Sequence, residues 1–225
     1  MRPTALITGA SRGLGAAIAR ELAPGHDLLL GARKEDALKP ILTELEAAKP
    51  FPVDLTDHAA VAAAVKGIDR LDVLVHNAGI ADLGTVAETS AEVWRNTMEA
   101  NVIAVAELTR LLLPALRAAG GHVVLINSGA GLRANAGWGP YAASKFALRA
   151  LGDALRHEEP TLRVTSIHPG RIATDMQREI VEAEGGEFDA DQFLTPETVA
   201  RAVRTAIDTA PDGHPTEIVL RPIAR

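Results

Sequence analysis

The sequence predicts a doubly wound α/β fold, a mostly parallel sheet of about seven strands with helices on both faces. Three observations predict it. Short apolar runs bounded by turn residues recur along the 225 residues; helix-like segments separate them; and the runs are continuously apolar, as strands buried on both faces require. In order, "TALITGA" meets a glycine turn that opens a helix at roughly 13–23, and "HDLLLGAR" leads to a segment at 35–48. "PFPVDL" is followed by a helix at 57–66 with Thr56 or Asp57 as its cap. "LDVLVHNAG" precedes a long helix at 90–118 that starts behind Ser90, and "GHVVLINS" precedes another at 139–158. "RVTSIHPG" is followed by a short segment, Asp175 to Phe193; Thr195 and Pro196 then start a helix at 196–208, before the final run "TEIVLRP". The two longest helices are apolar around much of their circumference, which suits packing on a second surface in a homodimer or homotetramer, or else a densely covered monomer.

A chain of this length without linker-like composition reads as one domain, residues 1–225. Hydrophobic residues make up 47% and aromatics only 3%, so Ala, Leu, Val and Ile must fill the core. The net charge of −6, with arginines interleaved among Asp and Glu, speaks against nucleic acid as a partner. No cysteine is present, which removes disulfides and thiolate metal sites. The first apolar run is too short for a signal peptide and no stretch suits a membrane span, so a cytoplasmic protein is expected.

The stretch "TGASRGLG" places Gly9, Gly13 and Gly15 at the first turn, with Ser11, Arg12 and Leu14 between them. Such glycines let backbone approach a pyrophosphate while free N–H groups and the helix dipole favour the anion. The spacing is neither Gly-x-Gly-x-x-Gly nor the phosphate-loop pattern. After the second strand, Ala32 and Arg33 stand where a carboxylate would bond the ribose of NAD. Arg33 and Arg12 converging on one point would suit a 2′-phosphate, which favours NADP over NAD, although Glu35 or Asp36 is available to a ribose.

With these residues in view the chain resembles the short-chain dehydrogenase/reductase family over nearly its whole length. "TGASRGLG" is similar to its cofactor turn, "HNAG" to its Asn-Asn-Ala-Gly element, "YAASK" to its Tyr-x-x-x-Lys, and "HPGRIAT" to its Pro-Gly segment. The resemblance implies a tetrad of Asn101, Ser128, Tyr141 and Lys145 with no metal. It also implies cofactor contacts from Asp54 and Leu55, from Asn77, Ala78 and Gly79, and from Pro169, Gly170, Ile172 and Thr174. Asp54 has a helix-capping role as its alternative. His76 departs from the family pattern by replacing the first asparagine. The segment 175–193 corresponds to the family's variable substrate lid and is short, and the chain ends soon after the last strand.

Tyr141 is the only tyrosine, and Lys145 lies four residues on, on the same helical face. A phenol of pKa about 10 is a poor base at neutral pH. Lowering it by about two to three units takes roughly 3 to 4 kcal/mol, which one cation about 4 Å away supplies only where water is partly excluded. The mechanism implied is hydride transfer between nicotinamide and a carbonyl or alcohol carbon. Tyr141 would move the proton, Ser128 hold the oxygen, Lys145 depress the phenol and bind ribose, and Asn101 anchor a water linking Lys145 to solvent. Leu132, Arg133, Trp138, Arg171, Met176 and Ile180 are candidates for the pocket wall of a partly apolar substrate. A catalytically silent dinucleotide-binding regulator or scaffold is the competing function, and a dehydratase or epimerase a third.

Overall fold

The structure is a computed structural model that describes residues 2–223. Seven parallel strands form one sheet in the order β3-β2-β1-β4-β5-β6-β7. They are β1 (Thr4–Ile7), β2 (Asp27–Ala32), β3 (Ala48–Pro52), β4 (Val73–His76), β5 (His122–Ile126), β6 (Arg163–Pro169) and β7 (Glu217–Leu220). The period of two divides each inner strand between two cores: Ala5, Val73, Val75 and Val124 face one, Leu6, Leu74, Val123 and Leu125 the other. Helices α1 (Gly13–Leu22) and α8 (Pro196–Asp208) cover the first face, where Ile18 and Leu22 pack with Val199 and Val203. On the second lie α3 (His58–Ala64), α5 (Ala104–Ala119) and α6 (Gly139–Glu158), through Val61, Leu108, Leu112, Leu148 and Leu155. The strand order reverses between β1 and β4, so the loops after these neighbouring strands diverge to opposite faces and leave a crevice at their carboxyl ends.

Several elements differ from the sequence expectation. The segment 35–48 contains a 3₁₀ turn, Glu35–Leu38, and then α2 (Lys39–Glu44), because Pro40 suits only the first turn of a helix. Strand β3 starts at Ala48 and includes Pro50 and Pro52, which an edge strand paired only with β2 tolerates. Asp57, not Thr56, caps α3 by accepting from the Ala60 N–H at 3.0 Å. The helix expected at 90–118 is divided into α4 (Ala91–Met98), a π turn over Glu99–Ile103, and α5. Within the expected lid stands a helix that the sequence reading lacked, α7 (Asp175–Ala183), whose N-terminus is capped by the Thr174 hydroxyl.

Candidate active site

The glycine turn after β1 is held from the loop after β4. Thr8 Oγ1 accepts the backbone N–H groups of Asn77 and Ala78, each at 3.0 Å, and Asn77 Nδ2 donates to the Thr8 and Gly9 carbonyls, each at 3.0 Å. Gly9 has φ 64° and Gly13 φ 56°, the left-handed region open to glycine. A Cβ on Gly15 would lie 2.1 Å from the Gly9 carbonyl oxygen. No side chain caps α1 and no acid stands in its first turn, so its positive end faces the crevice unopposed. This cradle fits a dinucleotide pyrophosphate. Thr8, which the sequence reading passed over, gives no local signal because its partners are about 70 residues away in sequence.

At the edge of the crevice stand Arg12, Arg33 and Lys34. Arg12 is paired with Asp175 at 3.0 Å across the crevice. Asp54 is not a helix cap: its Oδ1 accepts the Thr56 N–H at 3.0 Å and the Thr56 hydroxyl at 2.8 Å. These bonds, the backbone one foremost, and then the nearby Arg33 charge hold its carboxyl below the usual range.

The expected reacting groups meet on the crevice floor. Ser128 follows β5, and its Oγ accepts the Ala130 N–H at 3.1 Å. The half-buried Tyr141 opens α6, and Lys145 lies one turn further, buried, with Nζ 5.7 Å from the phenol ring centroid. Lys145 Nζ donates to the Ile126 carbonyl at 3.0 Å, and burial lowers its pKa to about 8. The expected depression of the phenol is corrected: burial raises the Tyr141 pKa, and the Ser128 hydrogen bond only partly opposes the rise. Burial is the larger effect on the phenol in the chain alone, while the ammonium itself is engaged by the Ile126 carbonyl.

Asn101 sits in the π turn, buried beneath this floor rather than in its wall. Its Oδ1 accepts the Ile80 N–H at 2.9 Å, and its Nδ2 donates to the Ile80 carbonyl at 2.9 Å and to Ser144 Oγ at 3.0 Å. The amide expected to anchor a water is thus bound to the loop after β4 and to α6. Asn127, also passed over, fixes Ser128: its Oδ1 accepts the Ser128 N–H at 2.8 Å and its Nδ2 donates to the Lys145 carbonyl at 3.1 Å. His168 is buried in β6 with Nδ1 3.3 Å from the Ser128 carbonyl, a bracing contact. His76 is buried as well, its Nε2 2.8 Å from Thr109 Oγ1, and points away from the crevice wall.

The glycine cradle, Asp54, Asn77, Asn127, Ser128, Tyr141 and Lys145 border one cavity of about 1560 Å³. Every cofactor position expected from the sequence is in its wall, from Gly9, Ser11, Gly13, Leu14 and Gly15 to Leu55, Gly79, Pro169, Gly170, Ile172 and Thr174. Trp138 meets Tyr141 edge-on with centroids 5.8 Å apart, and Arg133, Arg171, Met176 and Ile180 join it at the mouth. Leu132 does not: half-buried at the end of the 3₁₀ turn Gly129–Gly131, it is outside the wall. Gln177, not singled out from the sequence, lines the cavity from α7, and its buried Nε2 has no hydrogen-bond partner among the described residues.

The model of the short chain dehydrogenase family matches residues 3–185. The chain is 36% identical over 234 residues to glycine betaine reductase ATRR of Emericella nidulans, covering 97% of this chain but only 18% of that much longer protein. It is 37% identical over 225 residues to dehydrogenase/reductase SDR family member 7B of Bos taurus, covering 92% and 68% of the two chains. Among solved structures, the alcohol dehydrogenase from Thermococcus sibiricus complexed with 5-hydroxy-NADP superposes with a TM-score of 0.91 at 30% identity, over 100% of this chain and 98% of that one. With this likeness extending through cradle and floor alike, the chain belongs to the short-chain dehydrogenase/reductase family of oxidoreductases.

Proposed function

We propose that the protein is an NADP(H)-dependent carbonyl reductase or secondary-alcohol dehydrogenase, with Tyr141 as general acid and base. The observation that carries this reading is the meeting of Tyr141, Ser128 and Lys145 on the floor of the cavity that the glycine cradle opens. The cradle, Asp54, Leu55 and Asn77 to Gly79 would hold the adenosine and pyrophosphate; Pro169, Gly170, Ile172 and Thr174 would hold the nicotinamide end. Bound NADPH supplies hydride to the carbonyl carbon. Ser128 Oγ holds the carbonyl oxygen beside Tyr141 Oη, which gives up its proton as the oxygen gains charge. A phenol whose pKa burial raises is protonated at neutral pH, the form that reduction needs. The Lys145 ammonium then favours the phenolate left behind. Asn101 and Asn127 position the loops that carry these groups and touch no reacting atom.

Arg33, Lys34 and Arg12 at the cavity edge support NADP over NAD, as do the NADP-type complexes among the similar structures. We take residues 1–225 as one cofactor-binding domain with 175–193 as its substrate lid, assembled as a homodimer or homotetramer in the cytoplasm. No described helix is long and apolar enough to cross a membrane. The test is consumption of NADPH and of NADH with a panel of ketones. NADPH should be the better reductant, and Tyr141→Phe should lose about 10³-fold in kcat while still binding NADPH. Tight NADPH binding without turnover of any carbonyl, and no loss in the Phe variant, would establish the silent binding protein instead.

A further inference from the structure

Cations outnumber carboxylates in the cavity wall, although the chain carries a net charge of −6. The dinucleotide end accounts for every lining carboxylate. Asp175 is paired with Arg12 of the glycine turn, Asp54 is tied to Thr56 beside Arg33, and Glu99 lies 2.9 Å from His58 at the start of α3. The other end, around Ser128 and Tyr141, is lined by Arg133, Arg171 and Arg221 with no carboxylate in the wall. Arg221 is held there by the carbonyls of His168 and Leu220, at 3.0 and 2.9 Å.

Arg171 is held in place before any ligand arrives. Its guanidinium lies 5.5 Å from the Trp138 ring centroid, and Trp138 in turn meets the Tyr141 ring at 5.8 Å. One Nη of Arg171 donates to Glu184 at 2.7 Å, which leaves its other donors free. Arg133 lines the cavity and forms no ion pair with any described residue. Gln177, whose buried Nε2 lacks an acceptor among the described residues, lines the same cavity. Arg171, one aromatic ring away from the reacting phenol, thus has donors to spare in a wall that also carries Arg133 and Gln177, and an acceptor-rich anion would complete them.

We infer that the mouth of the cavity is an anion subsite, and that the substrate carries a carboxylate one ring's width from its reacting carbonyl, bound by Arg171 and Arg133. This rests on the proposed reductase reading and names its substrate class. Glu184 offsets the charge of Arg171, so the subsite matches a monoanion better than a dianion. Trp138, Met176 and Ile180 supply the apolar wall for the carbon frame between the two polar ends.

Calorimetry on the full chain tests this, first with NADP+ and then with three probes: cyclohexanecarboxylate, cyclohexanecarboxamide and cyclohexyl phosphate. The carboxylate should bind at least about tenfold more tightly than the amide, and the double variant Arg133→Gln, Arg171→Gln should erase that ratio. Comparing the two probes within each variant cancels any loss of folded protein. Equal affinities, no binding of either probe, or a preference that survives the double variant overturns the inference; tighter binding of the phosphate overturns the monoanion assignment. Failure of NADP+ to bind sinks the reductase reading instead, and the carboxylate preference is then scored on the chain alone.

Discussion

The ammonium of Lys145 is the most expensive single group in the site. Its pKa is about 8 in the folded protein against 10.5 for the free side chain, with burial as the cause. Between those values the unfolded chain holds the proton more firmly, so stability rises with pH across that window and the full cost is borne below pH 8. The net cost is about 3 kcal/mol, which remains even though Nζ donates to the Ile126 carbonyl. Lys145→Met should therefore raise the melting temperature at pH 7 by several degrees while abolishing turnover. A lower melting temperature would show that the ammonium stabilises the fold. Gly15 carries the opposite sign. A Cβ there would meet the Gly9 carbonyl oxygen at 2.1 Å and Asn77 Nδ2 at 2.6 Å, and the first of these is backbone that cannot swing aside. Gly15→Ala should weaken NADPH binding by at least about tenfold and lower stability by about 1–3 kcal/mol, read by fluorescence titration and urea unfolding. Unchanged affinity would mean that the cradle is not the cofactor site. The pair Tyr141 and Lys145 was legible in the sequence because a spacing of four is a local property of a helix. Thr8 and Gln177 were not, because what they do is fixed by partners, or by a lack of partners, in distant parts of the chain.

At the scale of elements, the π turn between α4 and α5 is where local and tertiary preferences part. The stretch "MEANVIAV" has no Gly or Pro to interrupt a helix, so its sequence reads as continuous. The bulge turns Asn101 inward, where its amide satisfies both backbone groups of Ile80 and reaches Ser144 on α6. The loop after β4 and the helix bearing Tyr141 and Lys145 are thereby joined through one side chain. Asn101→Ala leaves the Ile80 N–H and carbonyl without these partners, and should cost about 2–4 kcal/mol in urea unfolding as well as lower kcat. Asn101→Ser, too short to span both groups, should not restore it; a loss below about 0.5 kcal/mol would show that the loop is held by other means. The strands, by contrast, were legible because continuous apolar runs leave little choice in a sheet covered on both faces. Only β3, with two prolines at the sheet edge, was placed late in its run. Helix α7 was missed because Asp, Glu, Gln and Arg interrupt its short apolar face, and what marks its start is the Thr174 cap.

Across the whole molecule, three histidines are buried in the sheet, His76, His122 and His168, and burial lowers the pKa of each. His76 in β4 and His122 in β5 each place Nε2 2.8 Å from a threonine hydroxyl, Thr109 and Thr165, and leave Nδ1 without a partner among the described residues. Burial lowers both pKa values to about 3; for His122 the charges of Arg163 and His214 add to it. The unfolded chain binds these protons near pH 6.5, so keeping the rings neutral adds little proton-linked cost at pH 7. As the pH falls from 6.5 toward 3, each subtracts about 1.4 kcal/mol of stability per pH unit. Together they give a slope of about 3 kcal/mol per unit, so about 10 kcal/mol is lost by pH 3, comparable to a whole domain's stability of about 5–15 kcal/mol. Stability measured by urea unfolding from pH 7 to 4 should fall with that slope, increasingly helped below pH 5 by protonation of paired carboxylates such as Glu159 with Arg117. His76→Asn places a neutral amide beside Thr109 and should reduce the slope between pH 6 and 5 by about 1.4 kcal/mol per unit, without altering the position of Asn77. An identical slope in that variant would mean that His76 takes up its proton in the folded state, and that the sheet beneath the cofactor cradle admits water where the packing places none.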